Sequence, residues 1–361
     1  MPDSSGGPWQ CRGANVLQKI GESATRPPVA DSKGEVYLSS DIIGNETIGV
    51  MLMAFGGPDS LDSVESFMER LMKGRKPTPE IIARAKEKYR LIGGKSPLPE
   101  ITQKQADALE VKLNETCGGP VTFKTYVGMR YWHPFIEDAI TKMASDGIKR
   151  AFAISMSPHH SEVSTGAYAD EIRRVVSEKH LDMTIEMVDG MYKHPLFINA
   201  VVEKVEAALN RFPQAERGDI QVVFSAHSLP MAYIEGGDTY VEEINVTIEE
   251  VLKKTGPLSW RLAYQSKGTI PGAWLGPMIE DVYQDIVQSD RNSVLLVPIG
   301  FAADHVETLW DLDILHKGQA QDLGLVCERS AALNDSPLFI RALASMVCEV
   351  AISNQPWTTS Y

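Results

Sequence analysis

The feature that most constrains this chain is the regular alternation of continuous apolar runs with amphipathic stretches of helical period. The runs are IGVMLMAF (48–55), VTFKTYVGMR (121–130), RAFAISMSP (150–158), the alternating segment 183–188, QVVFSAHSLP (221–230), WRLAYQSK (260–267) and SVLLVPIGF (293–301). An unbroken apolar run of this length reads as a strand buried on both faces, the environment of a parallel sheet. Between the runs lie helical patterns such as FIEDAITKMASDGI (135–148) and HPLFINAVVEKVEAALNRF (194–212). Strand and helix in strict alternation predict βαβ units and hence an α/β fold with parallel sheets flanked by helices. Residues 1–46, with SSGGP and RPP and no clear period, are expected to form a flexible extension. A gap at 213–218 then divides an N-terminal α/β half, 47–215, from a C-terminal half, 216–325. A C-terminal helix and tail at 326–361 complete the expected organisation.

In open α/β sheets the chemistry sits just beyond the carboxyl ends of the strands. Here those tips read FGGP, MRYWHP, SPHHS, SAHSLP, QSKG and GFAADHVE, and they hold five of the eight histidines: His133, His159, His160, His227 and His305. His227 is fixed by the Ser228-Leu229-Pro230 turn; it is either a hydrogen-bonded strand-end histidine or a base or metal ligand. Asp304, Glu307 and Asp311 fall at i, i+3 and i+7, one face of an α-helix, with His305 beside them. Acids at a helix N-terminus also serve simply to offset the helix dipole. A mixed imidazole and carboxylate set suits a borderline divalent ion such as ferrous iron. No glycine spacing of a dinucleotide or P-loop fingerprint is present, which excludes a nucleotide site of those kinds.

Composition removes further classes. A net charge of −13 without any Lys/Arg-rich run argues against nucleic acid. No apolar stretch approaches the ~20 residues of a membrane span, which leaves peripheral contact with a membrane open. The four cysteines, Cys11, Cys117, Cys327 and Cys348, show no C-x-x-C spacing and are expected to be reduced thiols. With no basic-then-apolar leader pattern, a cytoplasmic location is expected.

Taken together the tips resemble the ferrochelatases. The resemblance rests on MAFGGP (53–58), YRLIGGKSPLPEIT (89–102), MRYWHPFIEDAI (129–140), FSAHSLP (224–230), RLAYQSKG (261–268), WLGP (274–277) and VPIGFAADHVETLWDLDI (297–314), in the family's order. It implies a class II chelatase-like architecture of two similar Rossmann-like domains with a porphyrin cleft between them. It also implies a lyase of haem biosynthesis that inserts ferrous iron into a free-base porphyrin with release of two protons. By position His227 and Glu307 resemble the family's central pair, catalytic and metal-binding, with Asp304, His305 and Asp311 as a supporting acidic path. Phe55, Tyr89, Ser96, Arg130, Tyr131, His159 and Ser161 fall where porphyrin contacts are expected. Iron is then a substrate, and no permanently bound cofactor is expected.

The chain departs from the family where Leu315 replaces a further acid, which puts a second metal site in doubt. It has no C-terminal cysteine run for an iron–sulfur cluster, and neither a hydrophobic lip nor a C-terminal span. A monomer is expected. SPHHSEVSTGAY (157–168) looks more like the members that use coproporphyrin III than those that use protoporphyrin IX, and His159, Ser161 and Ser164 would supply a polar cleft mouth. The alternatives are a sirohydrochlorin cobalt or nickel chelatase of the same fold and a non-catalytic porphyrin or haem carrier.

Overall fold

The computed structural model describes residues 46–117, 121–214, 219–268, 271–289 and 291–352. The expected extension, apart from Glu46, lies outside those residues, as do Cys11 and the tail beyond 352.

The first half runs β1 (Glu46–Ala54), α1 (Val64–Leu71), α2 (Pro79–Leu91), α3 (Leu98–Thr116), β2 (Val121–Met129), α4 (Ile136–Ser145) and β3 (Arg150–Ser155). A π-helical turn (Glu162–Gly166), α5 (Ala167–Glu178), β4 (Thr184–Val188) and α6 (Pro195–Leu209) follow. The second half runs β5 (Ile220–His227), α7 (Met231–Glu235), α8 (Tyr240–Thr255), β6 (Ser259–Gln265), α9 (Ile279–Gln288) and β7 (Ser293–Val297). A π-helical segment (Glu307–His316), α10 (Lys317–Asp322), β8 (Val326–Arg329) and α11 (Pro337–Ile352) complete it. Each half holds one four-stranded, all-parallel sheet, ordered β2-β1-β3-β4 and β6-β5-β7-β8. The order is the same in both, so β1 and β5 are equivalent, and each is the strand from which the sheet is extended in both directions. That makes their carboxyl ends the crevices of the fold.

The expectation of strands buried on both faces is met. Ile48, Val50, Leu52 and Ala54 of β1 and Val222, Phe224 and Ala226 of β5 point into one shared core. Residues of α3, α6, α8 and α11 fill the same core, so a helical layer is common to both sheets. Met51 and Met53 point the other way, onto α4 and α5. Val223 likewise packs outward, on α9. This period-2 division, apolar on both sides, is why the strands read as unbroken runs.

Two expectations need correction. The limit at 325 severs β8 from the sheet to which it belongs, because β8 pairs with β7 from Ser293↔Val326 to Leu296↔Arg329. With four residues and half-exposed positions it leaves no apolar run to read. The cysteines are not all free thiols: Cys117, at the end of α3, and Cys348, on α11, are joined as a disulfide, while Cys327 is free and buried. The fold carries the end of the chain back onto the first half and so brings together two cysteines 231 residues apart.

Candidate active site

His227 is the last residue of β5, and Glu307 opens the π-helical segment after β7. The ladder between β5 and β7 brings the two tips side by side, and the His227 Nδ1–H donates to Glu307 Oε2 at 2.9 Å. The His227 backbone carbonyl accepts the Tyr240 hydroxyl at 3.2 Å, and the Glu307 carbonyl accepts Gln265 Nε2 at 2.7 Å. Both partners are therefore fixed through their main chains as well. His305 Nε2 is 3.8 Å from the same Glu307 oxygen.

Burial works against the His227 imidazolium, but the charge and hydrogen bond of Glu307, with a smaller push from Asp311, outweigh it. His227 consequently titrates above its ordinary value. Burial would likewise raise Glu307, yet His227 first and then His305 hold its carboxyl far below the usual carboxylate range. An imidazole whose Nδ1 is engaged by a carboxylate is a stronger proton acceptor at Nε2 than a free one.

The first half contributes an aromatic wall. Phe55, immediately after β1, is 41 % exposed, which is unusual for a large apolar ring at a strand end. It lies 4.7 Å from the Tyr131 ring and 6.4 Å from Phe67, which in turn meets Tyr89 edge-on at 6.4 Å. Arg130 stacks over Tyr131 at 4.9 Å and hydrogen-bonds the Val163 carbonyl. Buried Tyr89 feels the charges of Glu307 and Asp311, which with desolvation push its hydroxyl far up. The aromatic row thus runs from the tips of β1 and β2 through Phe67 to Tyr89 on α2. A cavity of about 740 Å³ adjoins it, lined by Arg70, Lys73, Arg130, Tyr131 and Phe135 among others.

The ferrochelatase family model matches residues 47–351. The chain belongs to the ferrochelatase family. A ferrochelatase of Deinococcus radiodurans is 37 % identical over 308 residues, which cover 85 % of this chain and 96 % of that protein. A coproporphyrin III ferrochelatase of Geobacillus kaustophilus is 38 % identical over 303 residues, covering 84 % and 95 %. The structure of SirB from Bacillus subtilis with Fe3+ has a similar fold, with a TM-score of 0.53 at 12 % identity over 85 % of this chain and 96 % of that one.

Within this ferrochelatase fold four of the residues expected at the site, Asp304, His159, Ser161 and Ser96, are engaged by other groups of the protein. Asp304 turns away from Glu307 and accepts from Arg329 Nη1 at 3.1 Å, Asn334 Nδ2 at 2.9 Å and Thr308 Oγ1 at 3.0 Å. The expected single acidic face assumed 3.6 residues per turn. The wider π winding, with bonds five residues apart, instead favours a shared face for residues four apart, Glu307 and Asp311, and leaves Asp304 outside the segment. His159 is buried, with Nε2 3.0 Å from Thr247 Oγ1, and burial drives its imidazole down to about 3. Ser161 donates to Asp238 at 2.9 Å, and the His160 amide donates to Glu243. SPHHS is therefore a seam between the halves, and the polar cleft mouth expected of His159 and Ser161 is not formed by them. Ser96 is buried against Gly57, where a Cβ would stand 2.5 Å from it, and its amide donates to the Pro58 carbonyl. It locks the turn after β1.

Among the described residues no group of three or more His, Cys, Asp or Glu side chains is arranged to hold a metal ion. No helix among them is long and apolar enough to cross a membrane. Lys88, Trp310 and Ser266 surround Asp311 and were not singled out by the sequence. A lysine within the mixed charges of α2 carries no signal of its own.

Proposed function

We propose that this chain inserts ferrous iron into coproporphyrin III, with His227 and Glu307 as the reacting pair. The observation that supports this best is the 2.9 Å His227–Glu307 pair at the tip of β5, with the exposed Phe55 ring at the equivalent tip of β1. A flat macrocycle stacks on Phe55 and Tyr131 and presents its pyrrole nitrogens to the pair. Two N–H protons must leave as the metal enters. His227 accepts each in turn at Nε2 and passes it to solvent before the next, with Glu307 stabilising the imidazolium that forms each time. A histidine and a carboxylate offer iron a sparse site, loose enough to give the ion up to the ring.

The choice of coproporphyrin III is supported by Arg130, which stacks on Tyr131 beside the exposed Phe55 ring and suits a macrocycle with four propionates. The relative from Geobacillus kaustophilus bears that substrate in its name. Anaerobic insertion of ferrous iron, run in parallel with coproporphyrin III and protoporphyrin IX, tests both parts. Faster turnover of coproporphyrin III is expected. Faster turnover of protoporphyrin IX would overturn the substrate, and tight binding of both without turnover would overturn the insertion chemistry.

A further inference from the structure

One turn beyond Glu307 on the π-helical segment, Asp311 is held by groups from both halves. The Lys88 ammonium on α2 donates to Asp311 Oδ1 at 3.0 Å and stands 3.8 Å over the Trp310 ring. The indole is held for its face, since its N–H is buried without a partner among the described residues. From the second half, the Ser266 hydroxyl donates to Asp311 Oδ2. Ser266 has φ +59°, a left-handed conformation that non-glycine residues rarely enter and that persists where surrounding structure enforces it. Asp311 is only 6 % exposed and Lys88 27 %, so the contact is largely shielded from water.

We infer that Lys88 is a positioning residue for the insertion reaction, a latch that ties the wall carrying Tyr89 to the segment carrying Glu307 and so sets the width of the cleft. This rests on the function proposed above. Lys88 is next to Tyr89 in α2, and Asp311 is one turn from Glu307, so the bridge joins the two walls at the edge of the reacting pair. An ammonium clasped by a shielded carboxylate and an aromatic face is a strong tether, but one a single side-chain rotation releases. A rigid macrocycle is gripped best when the walls are held at one separation.

The test is a double-mutant cycle on the full chain, with coproporphyrin III affinity read from its fluorescence and KM and kcat from anaerobic insertion. Lys88→Met keeps the apolar stem and removes the charge, and Asp311→Asn removes the partner. Each is expected to weaken coproporphyrin III binding about fivefold, with KM rising alongside and kcat changing less. The double variant is expected to be no worse than either single one. Lys88→Arg should restore affinity, because a guanidinium also reaches a carboxylate and stacks on an indole. Additive losses in the double variant, or no rescue by arginine, would overturn the latch. A loss with Lys88→Met that Asp311→Asn does not share would assign Lys88 to the substrate's own carboxylates and overturn it too. If the wild-type chain binds coproporphyrin III without turnover, the insertion reading falls, and the affinities still decide the role of Lys88.

Discussion

Replacing Glu307 by glutamine keeps the shape of the partner and removes its charge, which isolates what the carboxylate does to His227. A unit charge pair at 2.9 Å in an effective dielectric of ~20 carries roughly 6 kcal/mol. The side chains are 34 % and 26 % exposed, so water screens most of this. About 1–2 kcal/mol remains, or roughly one pKa unit on His227. In Glu307→Gln the burial that opposes the imidazolium is no longer outweighed, and His227 should titrate at or below an ordinary histidine. NMR titration of the imidazole carbons in histidine-labelled protein reads this directly, with His227→Asn assigning the resonance. Unchanged titration of His227 in the variant would refute the electrostatic argument.

The linked effect on stability has a definite sign. The His227 contribution is fully present below the unfolded pKa of ~6.5 and is lost as pH rises through its raised folded value. The Glu307 contribution is present above ~4.3 and is lost as pH falls through its depressed folded value. The stability gap between wild type and Glu307→Gln should therefore be widest near about pH 5–6 and shrink on the alkaline side.

Other substitutions separate structure from chemistry. Asp304→Ala should cost about 2–3 kcal/mol by urea denaturation, because Arg329, Asn334 and Thr308 lose an acceptor, while the insertion rate per folded molecule stays the same. A fall in rate beyond that in folded protein would return Asp304 to the site. His159→Ala should cost about 2–4 kcal/mol through the lost Thr247 bond and the cavity left behind. Wild-type His159 stays neutral when folded down to about 3, so the unfolded chain binds a proton first and stability falls as pH drops below ~6.5. That acid slope should flatten in His159→Ala, and an unaltered slope would place the sensitivity elsewhere. Thiol titration of the denatured protein should gain two reactive cysteines on reduction, Cys117 and Cys348. No gain on reduction would show Cys117 and Cys348 unpaired.

The parallel sheets were legible in the sequence because strands buried on both faces announce themselves as apolar runs, and the tips of those runs led to His227 and Glu307. What failed was whatever depended on a distant partner. His159 and Ser161 look like cleft residues until Thr247 and Asp238, 88 and 77 positions away, are seen to hold them. Asp304 differs for another reason: it precedes the π-helical segment, so a helical period carried back from Glu307 does not describe where it faces. Lys88 went unnoticed because only the fold brings it to Asp311, 223 residues on.

The helical layer shared by the two sheets also bears on how the chain comes into being. Phe339, Ile340 and Leu343 of α11 lie in the same core as Ile48, Val50 and Leu109, and Phe339 meets Phe197 at 6.2 Å. On a ribosome the first half, with α3 and α6, emerges long before α11, which packs on those two helices. The nascent first half must wait with apolar surface uncovered until residue 352 has left the exit tunnel. At ~5–20 residues per second that wait lasts several seconds or more. The last helix among the described residues packs on helices of the half that was made first, so the first half gains its final apolar partner only once the rest of that sequence has been made.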